Sequence, residues 1–372
     1  MTGLSKTPKR IQVSHDPSAE RICVILPVLN EAERIEQALA GLVSQPAEVQ
    51  EILVIDGGST DATPAIVQRY QEADRRLRFI DASPVDARWT GKSWGLIYGL
   101  RRSDAACKWI LCVDADVWLS PDLARSLLAH AKKTGVSTFS VATQQHLSGK
   151  LEALIHAPML TTLVYRFGAP GKATRSVNRV QANGQCFLSR REVLRRTEAF
   201  DAARTSLCED ITIARRLAQC GEAVGFYEAE PGLVRVHMYK SWRDTWTNWP
   251  RSLPMRDPYF GARQAAILGA ALLLQAMPLP LLVAGVALRA PIGFQLTCGI
   301  LFAVRLGILF GVARAYPHRP WTYWLSPLCD LPVAARIIQF TLKRRHRWRG
   351  RTYIRCPGGT FEPVTPQDEL RP

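Results

Sequence analysis

The sequence lacks the marks of several protein classes. Its nine cysteines are scattered singly, with no CxxC pair and no Cys/His cluster at metal spacing. That argues against a disulfide scaffold or a zinc site and suits a reducing compartment. The first twenty residues are polar and have no apolar signal core, so 1–20 is expected to be a flexible leader. No internal repeat or low-complexity tract occurs. Acids are in the minority, 32 against 48 Lys and Arg, giving a net charge of +16. Much of the excess lies in the tail 343–372, at Lys343, Arg344, Arg345, Arg347, Arg349, Arg351 and Arg355. The folded part lacks basic residues interleaved with aromatics, so nucleic acid is not an expected partner. A basic tail beside apolar segments suits an anionic membrane surface instead.

Long apolar runs are missing before Gln264, where short ones alternate with amphipathic stretches. "RICVILPVLN" (21–30), "EILVIDGGSTD" (51–61), "LRFIDAS" (77–83) and "KWILCVDAD" (108–116) read as buried strands. Between them, residues 31–45 place Ile35, Ala38, Leu39, Leu42 and Val43 at helical spacing, with Asn30 as the expected N-cap. "TPAIVQRYQEA" has Pro64 in its first turn, and "GKSWGLIYGLRRS" starts a third helix. Strand and helix in alternation predict an α/β fold with a mainly parallel sheet covered by helices. Ligands of such sheets bind beyond the carboxyl ends of the strands, where Pro27 to Glu31, Asp56 to Asp61 and Asp114 to Asp116 fall. The segment 151–167 reads either as a core helix or as one at a membrane interface. "SLCEDITIARRLAQCG" (206–221) reads as a helix entered through two acids.

After Gln264 the character changes. Residues 265–288 hold one polar side chain, Gln275, and residues 291–312 hold one charge, Arg305. Each is long enough for a membrane span of about 20 residues, the first kinked at Pro278 and Pro280. The stretch 321–342 is interrupted by Asp330, Pro332 and Arg336 and reads as re-entrant or interfacial. A third full span would export the basic tail, against the positive-inside tendency. The expectation is therefore a multi-pass protein of the inner membrane, with residues 21–255 forming a domain that faces the cytosol. Residues 256–342 would be the membrane region and 343–372 a cytosolic basic tail.

Asp114 and Asp116 close an apolar strand one residue apart. Neighbouring carboxylates on one side of a strand repel unless a cation lies between them or the chain has turned into water. Hard divalent cations take oxygen ligands and share them with phosphates. A bare DxD is weak evidence, but "PVLNEAERI", "VIDGGSTDAT", "GKSWGL", "VDAD" and "LCED" occur in this order. The set closely resembles the family 2 glycosyltransferases of the GT-A fold, over roughly residues 20 to 255. The apolar end agrees with that family's membrane-bound branch.

The resemblance implies a GT-A (nucleotide-diphospho-sugar transferase) domain followed by C-terminal transmembrane helices. It implies that Pro27, Glu31, Asp56, Gly57, Lys92 and Asp114 hold a UDP- or GDP-linked sugar donor. Asp116, with Asp114, would bind Mg²⁺ or Mn²⁺, and His237 would complete the metal shell. Asp210 would be the catalytic base, with Glu209 as the alternate, in an inverting transfer. Read from spacing alone, Lys92 is equally a solvated helix-start lysine, and Glu209 and Asp210 read first as complementing a helix N-terminus, an order that the preceding motifs reverse. In place of the branch's QxxRW motif stands "SWRDTWTNWPRSL", where Trp246, Trp249 and Arg251 would serve acceptor and diphosphate or anchor the chain at a bilayer. "GKSW", "LCEDITIARRLA", "MYKSW…NWPRSL" and "HRWRGRTY" look most like the carotenoid 2'-O-glycosyltransferases, which implies a lipid acceptor. A polyprenyl-phosphate or ceramide-type glycolipid enzyme is the near alternative, and a membrane scaffold with a degenerate nucleotide-binding domain the non-enzymatic one.

Overall fold

The computed structural model describes residues 10–348 and 351–364. In chain order it has β1 (Arg10–Ile11), β2 (Ile22–Val28), α1 (Ile35–Val43), β3 (Val49–Asp56), α2 (Thr63–Ala73), β4 (Leu77–Asp81), α3 (Gly91–Arg102) and β5 (Trp109–Val113). There follow β6 (Val117–Leu119), α4 (Leu123–Thr134), β7 (Thr138–Ala142), β8 (Gln144–Gln145), α5 (Lys150–Phe167), β9 (Lys172–Thr174) and β10 (Cys186–Arg190). The domain closes with α6 (Arg191–Thr197), α7 (Ala199–Ala202), α8 (Glu209–Gln219), β11 (Val224–Ala229) and β12 (Val234–Val236).

The main sheet runs β1-β11-β7-β10-β5-β2-β3-β4. The pairs β2–β3, β3–β4, β2–β5, β7–β11 and β1–β11 are parallel, so the mainly parallel α/β sheet is as expected. The near-continuous apolar runs of β2, β3 and β5 follow from burial on both faces. β10 is antiparallel to β5 and β7, with Cys186 opposite Val113. Its first residue therefore lies at the same rim as the last residues of β2, β3 and β5, and the loop before it is delivered there.

Helix α3 approaches the sheet through two glycines on one face. A Cβ on Gly95 would lie 2.8 Å from Pro27 Cβ, and one on Gly99 2.7 Å from Ile25 Cγ2. This close approach sets Lys92, at the start of α3, over the end of β2. Pro27 cannot yield as a flexible side chain would. Gly95→Ala is expected to destabilise the fold by about 1–3 kcal/mol, to be read from a denaturant titration of the purified protein.

Two expectations change. Arg10 and Ile11, placed in a flexible leader, pair with Glu228 and Ala229 as an edge strand, and Ile11 is buried in the core. Residues 1–9 of that leader lie outside the described residues. Asn30 is not the N-cap of α1, which starts at Ile35 after Arg34. Asn30 has a left-handed φ of 54°, and its side-chain oxygen accepts the Thr60 N–H at 2.8 Å. It ties the rim to the loop after β3 and leaves Glu31 on the turn that faces the cleft.

Beyond the domain come α9 (Trp242–Asn248), α10 (Ala262–Ala276), α11 (Pro278–Ala287), α12 (Ile292–Val312), a 3-10 segment (Trp321–Cys329) and α13 (Asp330–Leu342). Among the described residues one helix, Ile292–Ala315, is long and apolar enough to cross a membrane. The stretch 265–288, expected as a span kinked at Pro278 and Pro280, is a pair of helices, α10 and α11, bent by 46° at Met277, and counts as a second crossing if the pair is one broken span. Pro278 has no N–H to continue the helix, and its ring crowds the preceding turn. Helix α5 packs against α9, α10, α12, α13 and the 3-10 segment. It buries Ala153, His156, Ala157, Met159, Thr161 and Thr162, the packing of a core helix.

The few polar residues of the apolar end find one another. Arg305 of α12 meets Asp330 of α13 through two bonds of 2.8 and 2.9 Å. Gln275 of α10 donates to Asp330 at 2.8 Å and to the Pro158 carbonyl of α5 at 2.9 Å. Buried polar groups need such partners, so this network fixes which faces of the four helices meet.

The basic tail is also folded in part. β13 (Arg345–Trp348), β14 (Arg351–Arg355) and β15 (Phe361–Pro363) form an antiparallel sheet. It docks on the domain through the Phe361 N–H to the Thr205 carbonyl at 2.8 Å. The remainder, 349–350 and 365–372, lies outside the described residues.

Candidate functional site

At the rim, a cleft of about 1640 Å³ opens between the sheet and the C-terminal helices. Its walls carry Glu31, Arg34, Lys92, Asp114, Asp116, Glu209, Asp210, Trp249 and Arg251. A smaller slot of about 120 Å³ adjoins it and is lined by Pro27, Gly57, Trp94, Trp348, Arg351 and Tyr353. The slot shares Glu31, Lys92, Asp114 and Asp116 with the cleft. Residues as far apart in sequence as Pro27 and Tyr353 thus converge on adjoining openings.

The charges are ordered around Lys92. Its Nζ lies 2.6 Å from Asp114 Oδ1 and 2.6 Å from Glu209 Oε1. Burial works against the ammonium, but Asp114 and Glu209 outweigh it and hold its pKa well above the usual value. Glu209 is therefore occupied by a cation. Its neighbour Asp210 is not: it accepts the Gly184 N–H at 3.2 Å and the Ile211 N–H at 2.8 Å. Burial, then the Glu209 charge, push the Asp210 carboxyl up to about 7, against the pull of Lys92. A carboxylate of that basicity takes a proton from a hydroxyl in a transition state better than an ordinary aspartate.

Asp116 sits on the turn between β5 and β6. Arg34 bonds Glu31 at 2.9 Å and stands 4.0 Å from Asp116. Burial, followed by the charges of Asp114 and Glu31, push Asp116 up to about 7, and Arg34 only partly opposes this. Its Oδ1 is buried with no hydrogen-bond partner. An orphaned carboxylate oxygen among like charges fits a site completed by a cation. Among the described residues no group of three or more His, Cys, Asp or Glu is placed to hold a metal. A divalent ion at Asp116 would thus draw other oxygen ligands from a bound phosphate or water, as Mg²⁺ commonly does.

Three expected residues lie off the cleft. The Asp56 carboxylate faces the glycine turn, accepting the Ser59 hydroxyl at 2.5 Å and the Ser59 N–H at 2.9 Å. It shapes the loop at Gly57 and lines neither cavity. The His237 ring is hydrogen-bonded to Ser148 Oγ at 2.9 Å and stacks on Trp118; only its backbone N–H reaches toward the acids, at the Asp116 carbonyl. A metal-shell role does not fit that placement. Trp246 packs under Arg336, while Trp249 lines the cleft with its ring tilted against His156, centroids 4.1 Å apart.

Other site residues escaped the sequence reading. Arg34 lies inside the quoted "NEAERI". A Cβ on Gly184, before β10, would sit 2.9 Å from Lys92 Nζ and displace the ammonium. Asn183 and Gln185 beside it are cross-linked at 2.8 Å. "NGQ" reads only as a loop until β10 is known to start at the rim. Helix α8, which carries Glu209 and Asp210, is anchored by Arg215, fully buried and 2.5 Å from the equally buried Asp257. Asp257→Ala strands that guanidinium. The expected loss is about 3–5 kcal/mol of stability, measured by equilibrium unfolding.

Comparison with known proteins agrees with this geometry. Residues 23–197 match the model of "Glycosyl transferase family 2". The poly-beta-1,6-N-acetyl-D-glucosamine synthase of Staphylococcus aureus (strain COL) is 25% identical over 146 residues, 38% of this chain and 34% of that protein. The glycosyltransferase GlyA of Streptococcus pneumoniae is 29% identical over 108 residues, 29% of this chain and 14% of that protein. The chain thus spans about a third or less of the length of these curated relatives. The mannosyltransferase PcManGT from Pyrobaculum calidifontis, solved with GDP-Man and Mn²⁺, superposes with a TM-score of 0.52 at 22% identity. The match covers 89% of this chain and 90% of that one, and shows the shared GT-A fold. Residues 23–197 of this chain are thus similar to glycosyl transferase family 2, on a shared GT-A fold.

Proposed function

We propose that the chain moves a sugar from a UDP- or GDP-linked donor to a hydroxyl of a membrane lipid, with inversion at the anomeric carbon. The observation that carries this reading is the two-sided cleft. One wall holds the acids and Lys92. The other is apolar, built from Leu160, Leu163 and Val164 of α5 and from Val304, Gly307, Ile308 and Gly311 of α12. The α12 residues recur at i, i+3, i+4 and i+7, one face of a helix. Val304 is also half exposed, and Ile300 and Phe310 of the same helix are more so. A hydrocarbon chain lying along α12 would bring its polar end toward Asp210.

The residues then divide the work. Asp210 accepts the proton of the attacking hydroxyl. Glu209, the alternate base, is held by Lys92 and keeps that proton affinity high. One base and direct displacement give inversion. Glu31, Arg34, Gly57 and the slot hold the nucleotide. Asp116, with Asp114 beside it, would hold a Mg²⁺ or Mn²⁺ ion, which supplies charge stabilisation for the departing diphosphate. A polyprenyl phosphate is already an anion and needs no base near 7, so the Asp210 environment favours an alcohol. A carotenoid or similar terpenoid alcohol is the acceptor the motif resemblance supports.

Membrane attachment belongs to the same reading. α12 is about 31 Å long, enough for a bilayer core, and Leu273, Val283, Val286, Leu288, Ile292 and Leu296 are exposed around it and the α10–α11 pair. Arg289 is the one charge in the loop between α11 and α12, against Arg256, Arg263, Arg314 and Arg319 at the other end. That bias favours the catalytic side as cytosolic. α13 is only about 20 Å long and suits an interfacial position.

The test is transfer itself. Membranes containing the protein are given labelled UDP- and GDP-sugars with Mn²⁺, and products are partitioned into organic solvent. Label in an alkali- and mild-acid-stable lipid glycoside supports the reading. Mild-acid release of the sugar supports the phosphate acceptor, and label confined to a water-soluble polymer overturns a lipid acceptor.

A further inference from the structure

The tail sheet enters the donor slot. Trp348 of β13 stands directly across from Arg351 of β14. Tyr353, two residues on, shares the Arg351 side of the strand. All three line the slot with Pro27, Gly57, Asp114 and Asp116. The sheet is fixed in place by Tyr353 and Phe361 packing with Leu207, and by Gly359, where any side chain would collide with the Asp257 carbonyl. Arg251 lies over the Trp348 ring at 4.9 Å and donates to the Arg347 carbonyl at 3.3 Å. The tail is thus bound to the same loop that anchors α8.

Charge gives this placement a purpose. Nine carboxylates line the cleft, among them Glu31, Asp114, Asp116, Glu209 and Asp210. Lys92 is committed to two of them and Arg34 to Glu31. Among the described residues no ion pair joins Arg351 to a carboxylate. An anionic ligand entering between such acids needs a cation that is not already neutralised, and a guanidinium matches phosphate oxygens in a bidentate way.

Building on the donor-site reading above, we propose that Arg351 binds the diphosphate of the nucleotide donor, with Trp348 holding the guanidinium side of the slot in place. The segment after the apolar helices is then part of the binding site rather than a membrane-surface tail.

The experiment is calorimetric titration of the full-length, detergent-purified protein with UDP, UMP, GDP and GMP in Mn²⁺. The nucleotide that the wild type binds is then used with the variants. Arg351→Ala and Arg351→Gln are expected to weaken the diphosphate at least about tenfold, and the monophosphate less. Arg351→Lys should recover part of the loss, and thermal midpoints should match the wild type. Equal affinity in wild type and Arg351→Ala overturns the assignment. An equal loss for mono- and diphosphate overturns it too, because it marks a general distortion of the slot. Absence of any nucleotide binding by the wild type overturns the donor site itself and Arg351 with it, whereas loss confined to the variants leaves both standing.

Discussion

Asp210→Asn is expected to lower kcat for transfer to a lipid alcohol by about a hundredfold to ten-thousandfold, the range of a general base. Donor affinity should hardly change, because Asp210 meets the nucleotide-binding residues only through Glu209 and Lys92. The wild-type rate should carry the matching signature. If Asp210 is the base, it acts when deprotonated, and burial with the Glu209 charge pushes its carboxyl up to about 7. The rate should therefore fall about tenfold per pH unit below 7 and level off above it. In Asp210→Asn that dependence should vanish along with the rate. Glu209→Gln separates the two acids: it removes one of the two partners of Lys92 but leaves the base, so activity should persist with its pH midpoint moved downward. Steady-state assays from pH 5.5 to 8.5 read all three outcomes.

Asp116→Asn is the second large effect. The buried Oδ1 without a partner becomes an amide that offers a divalent ion no charge. Loss of the metal's charge stabilisation is expected to cost at least about a hundredfold in kcat/KM. Binding should report it independently of rate. Wild-type affinity for the nucleoside diphosphate should rise with Mn²⁺ and drop in EDTA, whereas Asp116→Asn should show one affinity in both. His237→Ala serves as the contrast. Its ring is engaged with Ser148 and Trp118, so Mn²⁺ dependence should survive.

Particular elements show what a one-dimensional reading can and cannot reach. The buried runs of β2, β3 and β5 are legible because both faces of a central strand are covered. The acids after β5 are legible because charge at the end of such a run demands an explanation. Asp56 is misleading for the same reason: its position at a strand end is right, but its carboxylate turns back to the glycine loop. Asn30 looks like a helix cap, and only the left-handed backbone shows that it serves the neighbouring loop. Gln275, Arg305 and Asp330 stand out in the sequence as flaws in apolar runs. Periodicity says which side of a helix is polar, not which helix it meets, so their pairing in one network is not visible there. Arg351 and Trp348 lie furthest from reach. Nothing local marks a basic tail residue as part of a slot formed by Pro27 and Gly57.

The account rests on one carboxylate activating a lipid hydroxyl for direct displacement of the nucleotide. The anomeric configuration of the sugar in the extracted lipid product, read by proton NMR, tests this most directly. The account predicts a configuration opposite to that of the donor. A lipid product that retains the donor's configuration, or a reaction that yields no lipid-linked sugar, would contradict it.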